Sequence, residues 1–396
     1  MGSDTPSGIL MVRAQALSRL VGGHGWVYDA DVSMLEGAPQ PGDVVVVRSE
    51  GGDTIGQGLY SPQSRIRVRL LTRGEEAITA AVWRTRVRAA IHRRAAQVSG
   101  TTAYRVVNAD GDGLPGLIVD RYGDTLVMQS LVVGVDRRQE ALADLLLAET
   151  AAQAVYLRND ASARALEGLP SERRFLRGGG PTTIEIQEGP ARFLVDIERG
   201  QKTGWFCDQR DNRLAVAACS PGKDVLDAFC HTGAFGVHAA VAGARSVAGL
   251  DASRPAIDQA RAHAALNEVA ALCDFRVSDA AEALKKLGRS RKRFDVVILD
   301  PPPLAKRRAV RESALEGARY LNALGMALVR TGGTLATCSC SHQISAAELV
   351  AAVQSVARQA RRRVTIRERR SAGPDHPIIE AIPETRYLTC LICAVH

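Results

Sequence analysis

The sequence has no apolar stretch long enough to cross a membrane. A spanning helix needs about 18 consecutive apolar residues, and the apolar run over residues 125–135 is far shorter. Residues 1–6 also lack the basic segment and the apolar segment of a signal peptide. We therefore expect a cytoplasmic protein that has no membrane partner.

A metal-binding framework is absent as well. Only one pair among the eight cysteines has zinc-site spacing, Cys390 with Cys393, and no second pair accompanies it. This pair lies in an apolar run that predicts a buried strand, and without a secretory context all eight cysteines are expected as reduced thiols. Four histidines show no metal spacing and are expected to have ordinary roles: His231, His238, His263 and His342.

Lysine is scarce: six of the 51 basic residues are Lys and 45 are Arg, and with 43 acidic residues the net charge is +8. This excess is compatible with a polyanionic partner without proving one. Arg65, Arg67 and Arg69 alternate along a predicted strand and would share one face. Three further clusters, each of which is commonly no more than a solvated surface, are Lys285, Lys286, Arg289, Arg291, Lys292 and Arg293; Lys306, Arg307, Arg308 and Arg311; and Arg358, Arg361, Arg362, Arg363, Arg367, Arg369 and Arg370.

The length of 396 residues predicts two or three domains. Residues 1–72 are predicted as a small β-rich unit, with strands at 43–47, 55–60 and 65–71. Residues 73–190 are predicted as a mixed unit that opens with a helix over 73–98, on which Arg94 would be exposed. From 191 to 396 strands alternate with helices, which predicts a doubly wound α/β sheet with its ligand site at the carboxyl ends of the strands. These strands are expected at 224–228, 246–251, 273–277, 294–300, 334–340 and 387–394.

The end of the first strand of this sheet predicts a cofactor site. Asp227, Phe229, Gly233 and Phe235 follow a pattern that differs from the dinucleotide fingerprint G-x-G-x-x-G. A carboxylate here would repel a pyrophosphate, but it suits the positively charged sulfonium and amino groups of S-adenosylmethionine.

Two further acids follow the next two strands. Asp251 lies 18 residues after Gly233, where an acid can hold the ribose hydroxyls of an adenosine. Asp279 is placed to receive the adenine amino group, or to cap a helix in a capping box with Glu282. Both roles of Asp279 stay open, and they are compatible with each other.

A stiff loop predicts one side of the reaction site. The fourth strand delivers Asp300, and Pro301, Pro302 and Pro303 then fix the backbone and supply no N–H groups. Methyltransferases that act on exocyclic amines have an aromatic residue after such prolines, whereas Leu304 follows here. This difference argues against amine methylation.

The next strand ends in Thr337-Cys-Ser-Cys-Ser341, which offers a thiol beside the cofactor. Carbon 5 of cytosine is a weak nucleophile, and addition of a thiolate at carbon 6 turns the ring into an enamine that can attack a sulfonium methyl group. Asp300 could support this step by hydrogen bonding the ring nitrogen. Cys338 and Cys340 would share a strand face, so their spacing does not choose between them, and a core role for both stays open.

Taken together, these motifs resemble those of the bacterial large-subunit (23S) ribosomal RNA cytosine-C5 methyltransferases that carry a PUA domain, and the resemblance covers essentially the whole chain. The matching segments are His24-x-Trp26-Val-Tyr28, Gly58-x-Tyr60-Ser-Pro62, Asp112-Gly-Leu-Pro-Gly116, Asp120-Arg-Tyr-Gly123, Lys202-Thr-Gly204, Asp208-Gln-Arg-Asp211, the Asp227 motif, Asp300-Pro-Pro302, Ser339-Cys-Ser341 and Asp375-His-Pro377.

The resemblance implies a PUA β-barrel over 1–72, a middle α+β domain over 73–190 and a Rossmann-like class I methyltransferase domain over 191–396. It implies that Cys340 is the nucleophile, that Cys338 is incidental, and that large-subunit ribosomal RNA is the partner; a homodimer stays open. The expected cofactor, S-adenosylmethionine, would contact Asp227, Phe229, Gly233, Phe235, Asp251, Asp279, Asp300 and Pro301. Candidate RNA contacts are His24, Arg65, Arg67, Arg69, Lys202, Gln209, Arg210 and His376; for the segment 208–210 a helix start with an ion pair is the alternative.

Two other functions stay open at this point. The enzyme could methylate another base atom or another RNA, in which case replacement of Cys340 by Ala would leave activity intact. The chain could also be an RNA-binding protein that has kept a cofactor fold without chemistry.

Overall fold

The computed structural model describes residues 5–290, 292–303, 311–341 and 343–396. Predictions for Arg291, Leu304, Lys306, Arg307, Arg308 and His342 lie outside the described residues. The chain divides into two compact units, each assembled from three segments. The first unit extends to Ile186 and takes in Val195–Cys207 and Pro374–Thr385, and the second comprises Gln187–Leu194, Asp208–Gly373 and Arg386–His396.

The first unit begins with a six-stranded sheet. Its elements are β1 (Gly8–Val12), α1 (Ala14–Val21), β2 (Trp26–Tyr28), β3 (Val32–Gly37), β4 (Val44–Ser49), β5 (Thr54–Tyr60) and β6 (Ile66–Leu70), and the strand order is β2-β6-β5-β4-β1-β3. Alternate residues such as Val45, Val47 and Val68 are fully buried in one core. The three predicted strands are confirmed as β4, β5 and β6, whereas the sequence did not predict β1, β2, β3 or α1.

A second sheet in the same unit follows. Its elements are α2 (Ala80–Gln97), β7 (Ala103–Asn108), β8 (Leu117–Tyr122), β9 (Thr125–Ser130), α3 (Val133–Asp136), α4 (Gln139–Thr150), β10 (Ala154–Asn159) and β11 (Glu172–Arg177), and the strand order is β11-β10-β9-β8-β7. Trp83 and Val87 of α2 share its core with Leu126 and Leu142. The domain boundary predicted between 72 and 73 stays a prediction.

The structure corrects two predictions about α2. The helix begins at Ala80 instead of 73, because Gly74 has a φ of 54° and the Thr79 side chain caps the helix by accepting a hydrogen bond from the Val82 N–H at 3.4 Å. The prediction that Arg94 is exposed was wrong. Its side chain is 2% exposed, and its guanidinium donates to both carboxylate oxygens of Asp112 at 2.6 Å, a bidentate geometry that compensates a buried charge.

A two-stranded sheet of β12 (Thr183–Glu188) and β13 (Ala191–Asp196) contains two of the boundaries between the units. The second unit continues with α5 (Arg210–Ala217), β14 (Asp224–Ala228), α6 (Ala234–Val241), β15 (Ser246–Asp251), α7 (Arg254–Leu266), β16 (Cys273–Val277), α8 (Ala280–Gly288), β17 (Phe294–Leu299), α9 (Arg311–Leu328), β18 (Val329–Ser339), α10 (Ala346–Gln359), β19 (Val364–Arg370) and β20 (Thr389–Val395).

The seven strands from β14 to β20 form one sheet in the order β16-β15-β14-β17-β18-β20-β19. The first five in this order run parallel to one another, and β20 pairs antiparallel with both β18 and β19. The predicted α/β sheet is therefore confirmed, with the predicted strands in place. The sequence did not predict β19. Its second half consists of four charged residues, 367–370, which interrupt the alternation of apolar and polar residues that is typical of a strand.

The longest helices, α2 and α9, have 18 residues each and carry several charged side chains. Within the ranges that the structure describes, no helix is both long enough and apolar enough to span a membrane.

Candidate active site

The carboxyl ends of four neighbouring parallel strands bring the predicted site residues to one edge of the sheet. Ala228 of β14 is in register with Leu299 of β17, and Leu299 is in register with Thr337 of β18. The residues that follow these positions therefore leave the sheet side by side. They are the cofactor loop after β14, the proline loop after β17 and the Cys340 turn after β18.

Asp227 is the buried carboxylate of this edge. It is fully inaccessible to solvent, and one oxygen accepts a hydrogen bond from the Gly236 N–H at 2.9 Å. The other oxygen has no hydrogen-bond partner among the residues that the structure describes. Burial raises the pKa of Asp227 to about 8, and the negative charges of Asp300 and Asp251 act in the same direction. A carboxylate in this situation would be stabilised by a positively charged ligand, so its orphaned oxygen fits the amino or sulfonium group of S-adenosylmethionine.

The backbone between β14 and α6 is unusually shaped. Phe229 and His231 have φ values of 63° and 48°, which cost non-glycine residues about 1–3 kcal/mol each. Gly233 has a φ of 76°, and a Cβ atom there would lie 2.8 Å from the Cβ of Ala260 and 2.9 Å from the ring of Phe275. Both the backbone conformation and the close packing of α7 and β16 therefore require glycine at this position.

The same turn orients Asp251. One carboxylate oxygen accepts from the His231 N–H and the other from the Ser253 N–H, both at 2.9 Å. Each oxygen retains lone pairs that could accept from ribose hydroxyls. The sequence predicted no special role for His231. Its contact with Asp251 is made by the backbone N–H, so no pattern of side chains could have indicated it.

Asp279 caps α8, since its carboxylate accepts from the Glu282 N–H at 2.9 Å. This confirms the cap, and the adenine contact stays a prediction. The Asp251 carbonyl accepts from the Ser278 N–H at 2.8 Å, which keeps the start of α8 beside the end of β15.

The two aromatic residues of the cofactor motif have different surroundings. Phe235 is 6% exposed and packs in the core formed with Val225 and Val247. Phe229 is partly buried against the other core of this unit. Their predicted cofactor contacts stay predictions.

A chain of side-chain amides orients Asp300. The Gln209 amide donates to its carboxylate at 3.1 Å, and the Asn212 amide donates to the Gln209 carbonyl at 2.6 Å. The alternative interpretation of residues 208–210 is confirmed at the same time, because α5 starts at Arg210 and Arg210 pairs with Asp211 at 3.0 Å. Gln209 therefore belongs to a helix start and also holds a predicted catalytic carboxylate.

The environments of the two cysteines distinguish them. Cys338 lies inside β18 opposite Cys390 of β20 and is 3% exposed. Its hydrogen bond with Cys390 and its burial raise the pKa of the Cys338 thiol well above the usual value. Cys340 follows the last residue of the strand, is half-buried, and its thiol lies 3.9 Å from the carbonyl oxygen of Pro301. Cys390 and Cys393 are both fully buried, as predicted.

Cys340 lines a pocket together with the proline loop. Part of α9 and the first turn of α10 complete its walls, and its lining includes Pro301, Pro302, Pro303, Leu321, Asn322 and Leu349. The predicted nucleophile and the stiff loop therefore belong to the same cavity. Among the described residues, no three His, Cys, Asp or Glu side chains are grouped as a metal site.

The other candidate RNA contacts belong to the first unit. Arg69 pairs with Glu167 at 2.9 Å, Arg67 contacts Asp29, and Arg65 is exposed. The remaining members have local roles: the His24 ring accepts from the Trp26 N–H at 3.1 Å, Lys202 lies over the Phe206 ring at 4.5 Å, and His376 is 3% exposed with its ring nitrogen 3.3 Å from Asp375. Their roles in RNA binding stay predictions.

This fold and this site define a class I S-adenosylmethionine-dependent methyltransferase. The family model described as S-adenosylmethionine-dependent methyltransferase matches residues 138–389, and the model described as PUA-like domain matches residues 10–73. The chain belongs to this methyltransferase family and carries a PUA-like domain, as the resemblance implied, whereas the predicted domain boundaries stay predictions.

Its relatives share nearly the whole chain. The ribosomal RNA large subunit methyltransferase I of Shewanella amazonensis is 39% identical over 380 residues, which cover 94% of this chain and 95% of that protein. The protein of the same name from Shewanella denitrificans is 37% identical over 378 residues, with the same two coverages. A solved structure, described as a methyltransferase complexed with SAH, matches with a TM-score of 0.84 at 21% identity over 98% of this chain and 99% of that one. That likeness shows the fold.

Proposed function

We propose that this protein transfers a methyl group from S-adenosylmethionine to carbon 5 of a cytosine in large-subunit (23S) ribosomal RNA. The single observation that carries the proposal is the position of Cys340 next to the Asp300 loop, with its thiol 3.9 Å from the Pro301 carbonyl oxygen. The names of the relatives support ribosomal RNA as the substrate.

The first step forms a bond between the Cys340 sulfur and carbon 6 of the flipped base. The electron pair of the ring double bond moves to carbon 5, and a hydrogen bond between Asp300 and the ring nitrogen would stabilise the adduct. Gln209 holds Asp300 in place for this contact. The cofactor supplies an electrophilic methyl group, whose bond to sulfur breaks as its bond to carbon 5 forms.

In the second step a base removes the proton from carbon 5. The electron pair restores the ring double bond, and the bond between carbon 6 and the Cys340 sulfur breaks, which returns the thiolate. Residues 300–303, which form the proline loop, include no cysteine that could act as this base.

The RNA backbone needs positive charge, and the second unit presents it beside β19. Five arginines at the end of α10 and along β19 are exposed: Arg358, Arg361, Arg363, Arg367 and Arg369. Phosphate contacts of this kind supply affinity more than sequence choice. The PUA-like domain would hold a further part of the RNA.

The test is product analysis with unmodified ribosomal RNA. Purified protein and S-adenosylmethionine should yield 5-methylcytidine, detected by mass spectrometry of the digested RNA. Cys340→Ala removes the nucleophile and should lower product formation by about 10⁴-fold or more, whereas Cys338→Ala should retain product formation because Cys338 belongs to the core.

A different methylated nucleoside, or an active Cys340→Ala variant, would contradict the covalent mechanism. A wild-type protein that binds cofactor and RNA without turnover would favour a binding protein instead.

A further inference from the structure

The chain of side-chain amides that orients Asp300 continues as far as the edge strand of the sheet. The Asn212 carbonyl oxygen accepts a hydrogen bond from the Nε–H of Arg370 at 3.1 Å. Asn212 and Gln209 are both buried, so water does not compete for their hydrogen bonds. An uninterrupted chain of hydrogen bonds therefore runs from β19 to the carboxyl end of β17.

The register of the sheet explains how residues so far apart in the sequence meet. Arg370 of β19 is opposite Cys390 of β20, and Cys390 is opposite Cys338 of β18. Residues opposite each other on paired strands point to the same face of a sheet. Gln209 hydrogen bonds with the Cys338 thiol, so the chain of amides lies along this face.

The neighbours of each amide allow only one orientation. The Nε of Arg370 can only donate, so it must face the carbonyl oxygen of Asn212. The Asn212 NH₂ group donates to the side-chain carbonyl oxygen of Gln209 at 2.6 Å and to the backbone carbonyl oxygen of Ser371 at 3.2 Å. Gln209 is left with its NH₂ group toward Asp300. If the Gln209 amide turned by 180°, its oxygen would face the Asp300 carboxylate and repel it.

We propose that Arg370 is a positioning residue for methyl transfer, which holds the Asp300 carboxylate in its reactive orientation by fixing the direction of this chain of amides. The inference rests on the proposed function, in which Asp300 contacts the ring nitrogen of the target base. The neighbouring Arg369 is exposed, whereas the Nη atoms of Arg370 donate to Glu368 at 2.6 Å and to the Asp211 carbonyl oxygen at 3.2 Å. These contacts direct Arg370 toward the protein instead of toward the RNA.

The experiment changes only the donor that Arg370 offers to Asn212. In Arg370→Gln the amide nitrogen is as many bonds from Cα as the Nε of arginine, so a donor stays at this place, whereas Arg370→Met has a methyl group there. Both variants lose the positive charge and the contacts of the Nη atoms, so the difference between them reports the donor alone. The values of kcat and KM for 5-methylcytidine formation in unmodified ribosomal RNA are measured with saturating cofactor.

We expect Arg370→Met to lower kcat by about three- to tenfold, the effect of one hydrogen bond, because only the Ser371 carbonyl then opposes rotation of the Asn212 amide. Arg370→Gln should keep kcat within about twofold of the wild type. In a Gln209→Met background the chain is already interrupted, so Arg370→Met should cause no further loss of kcat. Cofactor affinity, measured by calorimetry, should change little in all variants, which separates positioning from misfolding.

Three results would overturn the assignment of Arg370 while the proposed function stands, provided that the wild type forms 5-methylcytidine. They are an unchanged kcat in Arg370→Met, equal losses of kcat in Arg370→Met and Arg370→Gln, and a further loss in the Gln209→Met background. A change confined to KM belongs to the first of these and would identify an RNA contact instead. If the wild type forms no 5-methylcytidine, the proposed cytosine chemistry fails and the assignment falls with it.

Discussion

Strands β14 and β17 have an aspartate near each of their ends, and the surroundings of these aspartates differ between the amino ends and the carboxyl ends. At the amino ends, Asp224 and Asp295 pair with Arg245 and Arg330; the Arg245 guanidinium lies 2.9 Å from Asp224, and the Arg330 guanidinium lies 2.6 Å from Asp295. Hydrogen bonding from Arg245 holds the pKa of Asp224 well below its usual value. At the carboxyl end of the same strand, burial raises the pKa of Asp227 to about 8.

Two residues of β14 therefore separate Asp224, whose carboxylate has cationic partners, from Asp227, whose carboxylate is buried at an energetic cost. The amino-terminal edge is organised for stability, because each acid there has a cationic partner. At the carboxyl-terminal edge no described residue gives Asp227 a cationic partner, and ionisable groups with shifted pKa values are common where a protein acts on a ligand. Removal of an acid at the carboxyl end should thus affect catalysis or cofactor binding, whereas removal of an acid at the amino end should affect the free energy of unfolding.

The largest difference is expected on β17. Asp300→Ala should lower kcat for RNA methylation by about 10²–10⁴-fold, because it removes the group that would hydrogen bond the ring nitrogen. Asp295→Ala, at the other end of the same strand, should leave kcat unchanged. Single-turnover methylation with saturating cofactor measures both. Equal losses of kcat in the two variants would show that the two edges do not differ in function.

An intermediate effect is expected on cofactor binding at Asp227. A positively charged ligand favours the ionised carboxylate, whose pKa is about 8 in the folded protein, so affinity should rise by up to about tenfold per pH unit from pH 6 to pH 8 and then level off. Asp227→Asn should bind more weakly at pH 8 and show a flatter pH profile. Calorimetric titration with S-adenosylmethionine measures this, with Asp224→Asn as the control that should keep the wild-type slope.

The same raised pKa has a consequence for stability. Between the ordinary Asp value of 3.8 and about 8 the folded protein binds a proton at Asp227 that the unfolded chain has released, so the free energy of unfolding should fall as the pH rises through this window. Urea denaturation of Asp227→Asn should show a smaller decline from pH 5 to pH 8 than the wild type. An unchanged decline would indicate that Asp227 is ionised in the folded protein.

The smallest effect is expected from Asp224→Asn. The pairs with Arg245 and Arg330 are on the surface, so their loss should lower the free energy of unfolding by about 0.2–1 kcal/mol at low ionic strength and by less at high salt. Because the pKa of Asp224 is lowered, its stabilising contribution is present near neutral pH and is lost as the pH falls below its ordinary value. A salt-independent loss would point to packing instead of charge.

Much of the second unit could be predicted from local patterns. Buried parallel strands have near-continuous apolar runs, and the acids that follow them are visible in the sequence, so β14 to β18 and the positions of Asp227, Asp251, Asp300 and Cys340 were predictable. The choice between Cys338 and Cys340 was not, because residues two apart in a strand share a face. The distinction depends on Cys390, which lies opposite Cys338 and 52 residues after it in the chain.

What the sequence could not predict depends on contacts between distant segments. Arg94 is buried because Asp112 supplies its counter-charge. Gln209 orients Asp300 from 91 residues away, and Arg370 joins the same chain of amides from the edge strand of the sheet. The local periodicity of a segment predicts which of its side chains face the core. It does not predict which distant segment packs against them, and these contacts depend on that.

The position of β20 between β18 and β19 also constrains how the sheet can be assembled. During synthesis β19 emerges before β20, and in the finished order β18-β20-β19 it joins the sheet only through that later strand. Until β20 is made, β19 is an orphan edge exposed to other nascent chains, and strands in this state aggregate readily. Arg367 and Arg369, which are exposed on β19, are charged side chains of the kind that opposes pairing between strand edges.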